Sequence, residues 1–227
     1  MKYYKLISSS NIKEVGKIPQ SEDCIIGDLR QEFIPWEGEI DFDFKLPEPN
    51  LEKKSKQTSY IDVVAIHPYR FLVIDDILLA FLKNYNIGNH QNWKINTWYN
   101  KKELIEKYNL FLLSDTKQDK YIDFSRSEFY SKKMTDWDNS NVQKPIFVKD
   151  YKEYVFQKES LGDEYVLLHK NVTLDLSKTN EDMFRFFNAP LGGYFVSEKL
   201  KNDIEKNDFT GMEFTEVSEL DKIEVIY

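Results

Sequence analysis

Three histidines, one cysteine and a large set of carboxylates are the side chains with the most obvious chemical potential in this 227-residue chain. Their spacing argues against most of the chemistry they could perform. His67, His90 and His169 lie far apart. No two are four residues apart, the spacing that sets a pair of imidazoles on one helix face around zinc. Each is expected to have a structural or solvated role. Cys24 follows Glu22 and Asp23; two neighbouring carboxylates oppose the thiolate a nucleophile needs. The expectation is a small buried apolar side chain. No serine stands in a Gly-x-Ser-x-Gly elbow. With 8 glycines in all, no glycine-rich phosphate loop is present. Asp136-Trp137-Asp138-Asn139-Ser140-Asn141 starts like a calcium loop, but the sixth position is not glycine and the twelfth is Phe147. A polar surface loop is expected there. The chain is therefore read as a non-enzyme with no catalytic residue, cofactor or metal.

The carboxylates form closer pairs, Glu37 with Glu39 and Asp41 with Asp43. Residues two apart on a strand share a face and sit about 7 Å apart, which suits a wet strand face better than two acids flanking a scissile bond. With Trp36 at its head, that face is either plainly solvated or an acidic contact surface. A second candidate is Trp98. In Trp93-Lys94-Ile95-Asn96-Thr97-Trp98-Tyr99, Trp93, Ile95, Thr97 and Tyr99 share one face. If that face packs inward, Trp98 is exposed as a binding anchor; the loop at Glu52–Ser59 could equally cover it.

These side chains must be positioned by an α+β fold. The pattern predicts a curved, mainly antiparallel sheet with two or three amphipathic helices packed on one face. Tyr3 to Ile7 reads as a first strand. Ile40, Phe42, Phe44 and Leu46 alternate with Asp41, Asp43 and Lys45 as a second, which Pro47 and Pro49 end. The polar loop Glu52–Ser59 marks a boundary between a small β-rich part (1–57) and a main domain (58–227), together one compact unit. Asp75 caps a helix with Ile77, Leu78, Phe81, Leu82 and Tyr85 on its apolar stripe, closed by Gly88. Short strands are expected at Trp93–Tyr99, Tyr108–Leu113, Tyr121–Phe124, Ile146–Val148, Tyr154–Phe156, Tyr165–Leu168 and Val172–Leu176. Thr179 and Asp182 suggest a cap before a short helix at Met183–Phe187. Tyr194–Val196 then forms a strand, Ser197 caps a last helix with Leu200 and Ile204 inward, and Met212–Val217 and Ile223–Tyr227 end the chain as strands. Ile74-Asp75-Asp76, Leu78 and Leu82 are echoed at a constant offset by Val196-Ser197-Glu198, Leu200 and Ile204. The echo fits a duplicated unit, or simply two strand-to-helix junctions of the same common kind.

Composition limits the partners. With 41% apolar and 15% aromatic residues the chain can bury a substantial core. A formal charge of −8 opposes general nucleic-acid binding, which needs a basic face. One cysteine permits no intramolecular disulfide. The N-terminus lacks a signal-peptide core, and no apolar run is long enough to span a bilayer. A cytoplasmic protein with no nucleic-acid and no membrane partner is expected.

Gly193-Tyr194-Phe195-Val196-Ser197-Glu198-Lys199-Leu200, followed by Phe209-Thr210-Gly211-Met212-Glu213-Phe214, resembles the C-terminal signature of a bacterial polymorphic-toxin immunity-protein family of myxobacterial type, formerly a domain of unknown function. Tyr121-Ile122-Asp123-Phe124-Ser125-Arg126-Ser127-Glu128-Phe129 resembles that family's central segment. The resemblance runs from about Ile61 to Val217. It implies a cytoplasmic, non-catalytic protein that binds a cognate toxin domain and occludes its active site, with Ser197, Gly211, Phe195, Leu200 and Phe214 in structural roles. It names no toxin-binding residue. An enzyme of unrecognised class, or a general protein–protein adaptor, are the alternatives.

Overall fold

The computed structural model describes residues 1–27, 29, 34–35, 37–67, 70–135, 144–187 and 191–227. In chain order the elements are β1 (Tyr3–Ser8), α1 (Ile12–Val15), β2 (Cys24–Ile26), β3 (Glu48–Leu51), β4 (Tyr60–Ile61), β5 (Leu72–Asp75), α2 (Asp76–Leu82), β6 (His90–Tyr99), β7 (Glu103–Leu113), α3 (Gln118–Tyr121), β8 (Ile122–Lys133), β9 (Lys144–Ile146), α4 (Tyr151–Ser160), β10 (Tyr165–Asp175), β11 (Met183–Phe186), β12 (Gly193–Ser197), α5 (Glu198–Lys206), β13 (Met212–Glu216) and β14 (Ile223–Ile226). The class is α+β with mostly antiparallel pairing, and the strands divide among three open sheets. Their orders are β2-β3-β6-β7-β5-β4, β11-β12-β1-β13 and β14-β10-β8-β9.

The sheets are layered through their side chains. Alternate residues of one strand face opposite sides. Leu72 and Ile74 of β5 enter one apolar cluster and Val73 another, while Tyr194 and Val196 of β12 share the first cluster and Phe195 enters a third. The β11-β12-β1-β13 sheet is thus buried on both faces. Its outer side stacks Phe184 on Phe195 (ring centroids 5.4 Å) beside Phe186, against Tyr121 of α3, Phe124 of β8 and Tyr154 of α4. Each such ring contributes about 2–3 kcal/mol by leaving water.

The internal echo is structural. The runs β6-β7-β5-β4 and β13-β1-β12-β11 share strand order and antiparallel pairing, with the N-terminal β1 in the place of β7. Asp75 lies opposite Tyr108, and Ser197 opposite Tyr3. Both tyrosines are fully buried, and their hydroxyls donate to equivalent carbonyls, Thr58 (2.8 Å) and Glu181 (2.9 Å). Both caps accept from the third helical N–H: Asp75 Oδ1 from Leu78 (2.8 Å), Ser197 Oγ from Leu200 (3.1 Å). The two units exchange contacts: Tyr60 N–H donates to Thr210 O (3.0 Å), and Asp182 N–H to Asn86 O (2.7 Å). Two side-chain caps of this kind are each worth about 1 kcal/mol. Asp75→Ala and Ser197→Ala are therefore expected to lower unfolding stability by about that much each in urea titrations.

Several expected elements differ. Residues 40–46 form no ladder, although Ile40 is buried and Phe44 packs on Trp93 (5.2 Å). The Gln91 side chain acts as the missing partner: its Oε1 accepts from Ile40 N–H (2.8 Å) and its Nε2 donates to Ile40 O (3.0 Å). The strand lies further on, as β3, and includes Pro49. Tyr154–Phe156 is helical, within α4. Its signal is the pair Asp150 and Glu153: Asp150 Oδ1 accepts from Glu153 N–H (2.8 Å), and Glu153 Oε2 from Lys149 N–H (3.1 Å). Met183–Phe187 is not a helix but carries β11, because Asp182 is engaged elsewhere, accepting from Ser197 OH (2.9 Å) and Asn86 N–H (3.1 Å). Tyr165–Leu168 and Val172–Leu176 join in the one strand β10, with register shifts around Asn171. Residues 100–102 form the tight turn of the β6–β7 hairpin. Gly88 (φ +70°) leads into β6 and does not close α2, which ends at Leu82.

Candidate functional site

The carboxylates singled out by their spacing lie together on the ribbon 37–46. Gly38 N–H donates to Ser114 O (3.1 Å) at one end, Gln91 holds Ile40, and at the far end Leu46 O lies against Gly27, where a Cβ would meet it at 2.5 Å. Glu37 is fixed: its Oε1 accepts from Gln118 Nε2 (2.5 Å) and from Tyr151 OH (2.6 Å). Glu39, Asp41 and Asp43 are exposed, and so is Phe42 between them, at 43%. The ribbon is thus an acidic ridge with one aromatic ring, anchored by backbone and amide contacts that leave three carboxylates unspent. Trp36 lies outside the described residues.

Trp98 does not join this ridge. It sits seven residues beyond Gln91 on β6, roughly 23 Å away at strand rise. Nor is it a freely exposed anchor. It is half-buried, and its indole Nε1 donates to Glu48 Oε2 (2.7 Å), whose other oxygen accepts from Asn96 (3.0 Å). The face opposite it packs inward as expected, with Ile95 and Thr97 buried. The Glu52–Ser59 loop is irregular but not wholly exposed: Ser55 and Thr58 are buried, Ser55 OH donating to Gln20 O (2.9 Å).

Beside Glu37 a cleft of about 340 Å³ is lined by Ser114, Asp115, Lys117, Asp119, Lys120 and Tyr151. Its cations are already paired. Lys117 Nζ lies 3.2 Å from Glu181 and 3.6 Å from Asp115, and Lys120 Nζ 3.9 Å from Glu181. Buried Glu181 also accepts from Tyr121 OH. Burial, then that hydrogen bond, holds the Tyr121 phenol well above its ordinary range. Sequence reasoning missed this cluster, because Glu37, Gln118, Tyr151 and Glu181 are far apart in the chain and carry no local motif. Deeper in, Arg70 and Arg185 are both buried; desolvation and the neighbouring Arg185 push Arg70 down to about 10.

Neither His90 nor His169 lines the cleft beside Glu37. His90 Nδ1 lies 3.2 Å from Gly88 O, with its ring against Phe111. His169 is half-buried in the middle of β10, and burial, then nearby Lys222, lowers its pKa. Cys24 is half-buried on β2 against the core, less enclosed than expected. Among the described residues no three His, Cys, Asp or Glu side chains gather as a metal-ligand set. The calcium-like run at 136–141 lies outside the described residues. No described helix is long and apolar enough to cross a membrane.

By class, then, this is an α+β protein built on a paired β-β-α-β unit, with three exposed carboxylates on an anchored ridge. No protein-family model matches the chain, and no curated protein is significantly similar to it.

Proposed function

We propose that the protein is an immunity protein, a cytoplasmic, non-catalytic inhibitor that binds a cognate bacterial toxin domain and occludes its active site. The observation that carries this reading is the ridge 37–43. Glu39, Asp41 and Asp43 are exposed beside Phe42, on a ribbon tied down at Gly38 and Ile40. Pre-ordered carboxylates around one aromatic side chain suit a basic substrate groove: the charges steer encounter and the ring supplies a desolvated contact. The positions that resemble the immunity family support the reading differently. Val196, Ser197, Leu200 and Phe195 are buried and hold the fold, which leaves partner choice to the exposed residues. Co-expression with a toxin encoded beside this gene tests the proposal. The expected result is rescue of growth and co-purification as a stoichiometric complex. Growth arrest that persists despite soluble expression of this protein would overturn it.

A further inference from the structure

We infer that the β6–β7 hairpin tip is a second docking surface, separate from the acidic ridge and built for an acidic protein segment that brings one apolar side chain. Two tight turns lie side by side at this end of the six-stranded sheet. In the first, Ser55 N–H donates to Glu52 O (2.9 Å) across Lys53 and Lys54. In the second, Lys102 N–H donates to Tyr99 O (3.1 Å) across Asn100 and Lys101. They are bound together: Asn100 N–H donates to Leu51 O (2.9 Å), Lys101 N–H to Asn50 Oδ1 (2.9 Å), and Lys54 N–H to Tyr99 OH (3.3 Å). Lys53, Lys54, Lys101 and Lys102 are all exposed. Their ammonium groups take no part in the ion pairs found among the described residues, whereas Glu52 is held by Lys17 at 3.5 Å.

Lys54 (φ +84°) and Lys101 (φ +58°) occupy left-handed turn positions that glycine fills with less strain. Asn100 (φ +50°) with Lys101 makes a turn of the type that favours Asn-Gly. Lysine thus stands at two positions where local conformation disfavours it, and what it brings there over glycine is charge. Behind the tip, Trp98 pairs directly across the strands with Leu104, which is 41% exposed. The ridge contacts β6 at Gln91, roughly 30 Å from the tip at strand rise. That is about three or more Debye lengths at physiological salt, so the carboxylates of the ridge do not cancel the field at this end.

The recessed, half-buried indole fits a side chain brought to it better than it fits insertion into a bilayer. Glu48 on that indole, and Glu103 beside the turn, oppose a continuous phosphate backbone. A short acidic peptide can place its carboxylates over the lysines and its apolar residue over Trp98 and Leu104.

The test is a titration of the full-length, nitrogen-15-labelled protein with a short Asp/Glu peptide bearing one leucine, read by amide and indole shifts. Parallel arms use the same peptide with serine for leucine, an oligonucleotide of equal charge, and phosphatidylcholine–phosphatidylglycerol vesicles. Shifts are expected at residues 53–54, at 100–104 and at the Trp98 indole, with weaker binding of the serine peptide. Lys101→Glu with Lys102→Glu is expected to weaken binding about tenfold or more. Lys54→Gly with Lys101→Gly is expected to weaken binding while raising the melting temperature, a combination that a merely structural role for these lysines does not produce. Shifts scattered over other lysines, unchanged binding by the charge-reversed protein, or tighter engagement of these residues by the oligonucleotide or the vesicles would overturn the inference.

Discussion

Gly211→Ala is expected to destabilise the protein by about 3 kcal/mol or more. Gly211 has φ +93°, a conformation that strains an L side chain. A Cβ there would stand 2.0 Å from Tyr60 O, 2.7 Å from Thr58 Oγ1 and 2.9 Å from Thr58 Cβ. None of these neighbours can yield cheaply. Thr58 is buried, with its hydroxyl donating to Tyr60 O (2.6 Å) and accepting from Gln20 Nε2 (2.8 Å). Tyr60 N–H is held by Thr210 O, and Ser9 N–H donates to Gly211 O (3.0 Å). The methyl group would therefore push apart the place where the second unit clasps the first. Urea unfolding with matched m-values reads the loss directly; Gly38→Ala is the comparison, since a Cβ there meets nothing within 4 Å and only its φ of +82° opposes the change. Equal losses for the two variants would show that backbone strain alone, not the clasp, sets the cost.

Reversing the ridge, with Glu39→Lys, Asp41→Lys and Asp43→Lys together, is expected to weaken binding of a cognate toxin by about 10²–10³-fold, since each close charge pair that becomes repulsive costs roughly 1–3 kcal/mol and the losses combine less than additively. The same triple variant should melt within a degree or two of the parent, because exposed charges without partners contribute within about ±0.5 kcal/mol to folding. Glu37 is left in place because Gln118 and Tyr151 depend on it. Calorimetric titration and thermal denaturation of one preparation separate the two readouts. Wild-type affinity in the triple variant would remove the ridge from the interface while leaving the immunity reading open to another surface.

Local chemistry made a good part of this architecture readable in advance. Asp75 and Ser197 announce their helices because a cap is a contact between residues three apart. β1, β6, β7, β12 and β13 are readable because alternation or an apolar run survives in each. The echo between the two strand-to-helix junctions was visible too, although its partner strand was not: β1 stands where β7 would be, and only pairing across the whole chain shows that. The errors fall where a distant group took over a local role. Met183–Phe186 has the start signal of a helix, but Asp182 bonds to Ser197 and Asn86, and the residues it would have capped are drawn into a doubly covered sheet. Residues 40–46 alternate as a strand should, yet at Ile40 the Gln91 amide satisfies the N–H and C=O that a neighbouring strand would have satisfied.

The candidate surfaces divide in the same way. That Glu39, Asp41 and Asp43 point into water follows from their order along the chain, since an extended ribbon with one apolar side turns its charges outward; that Phe42 is exposed with them does not follow from that order. That Trp98 is tied to Glu48, that Glu37 joins Gln118 and Tyr151, and that four lysines from two turns share one end of a sheet all depend on residues far apart in sequence. Periodicity and capping act over a few residues and are written in the chain itself. The meeting of distant polar groups is decided by how the layers stack, because burial rewards any arrangement that closes the apolar faces and the polar partners follow from whichever one does.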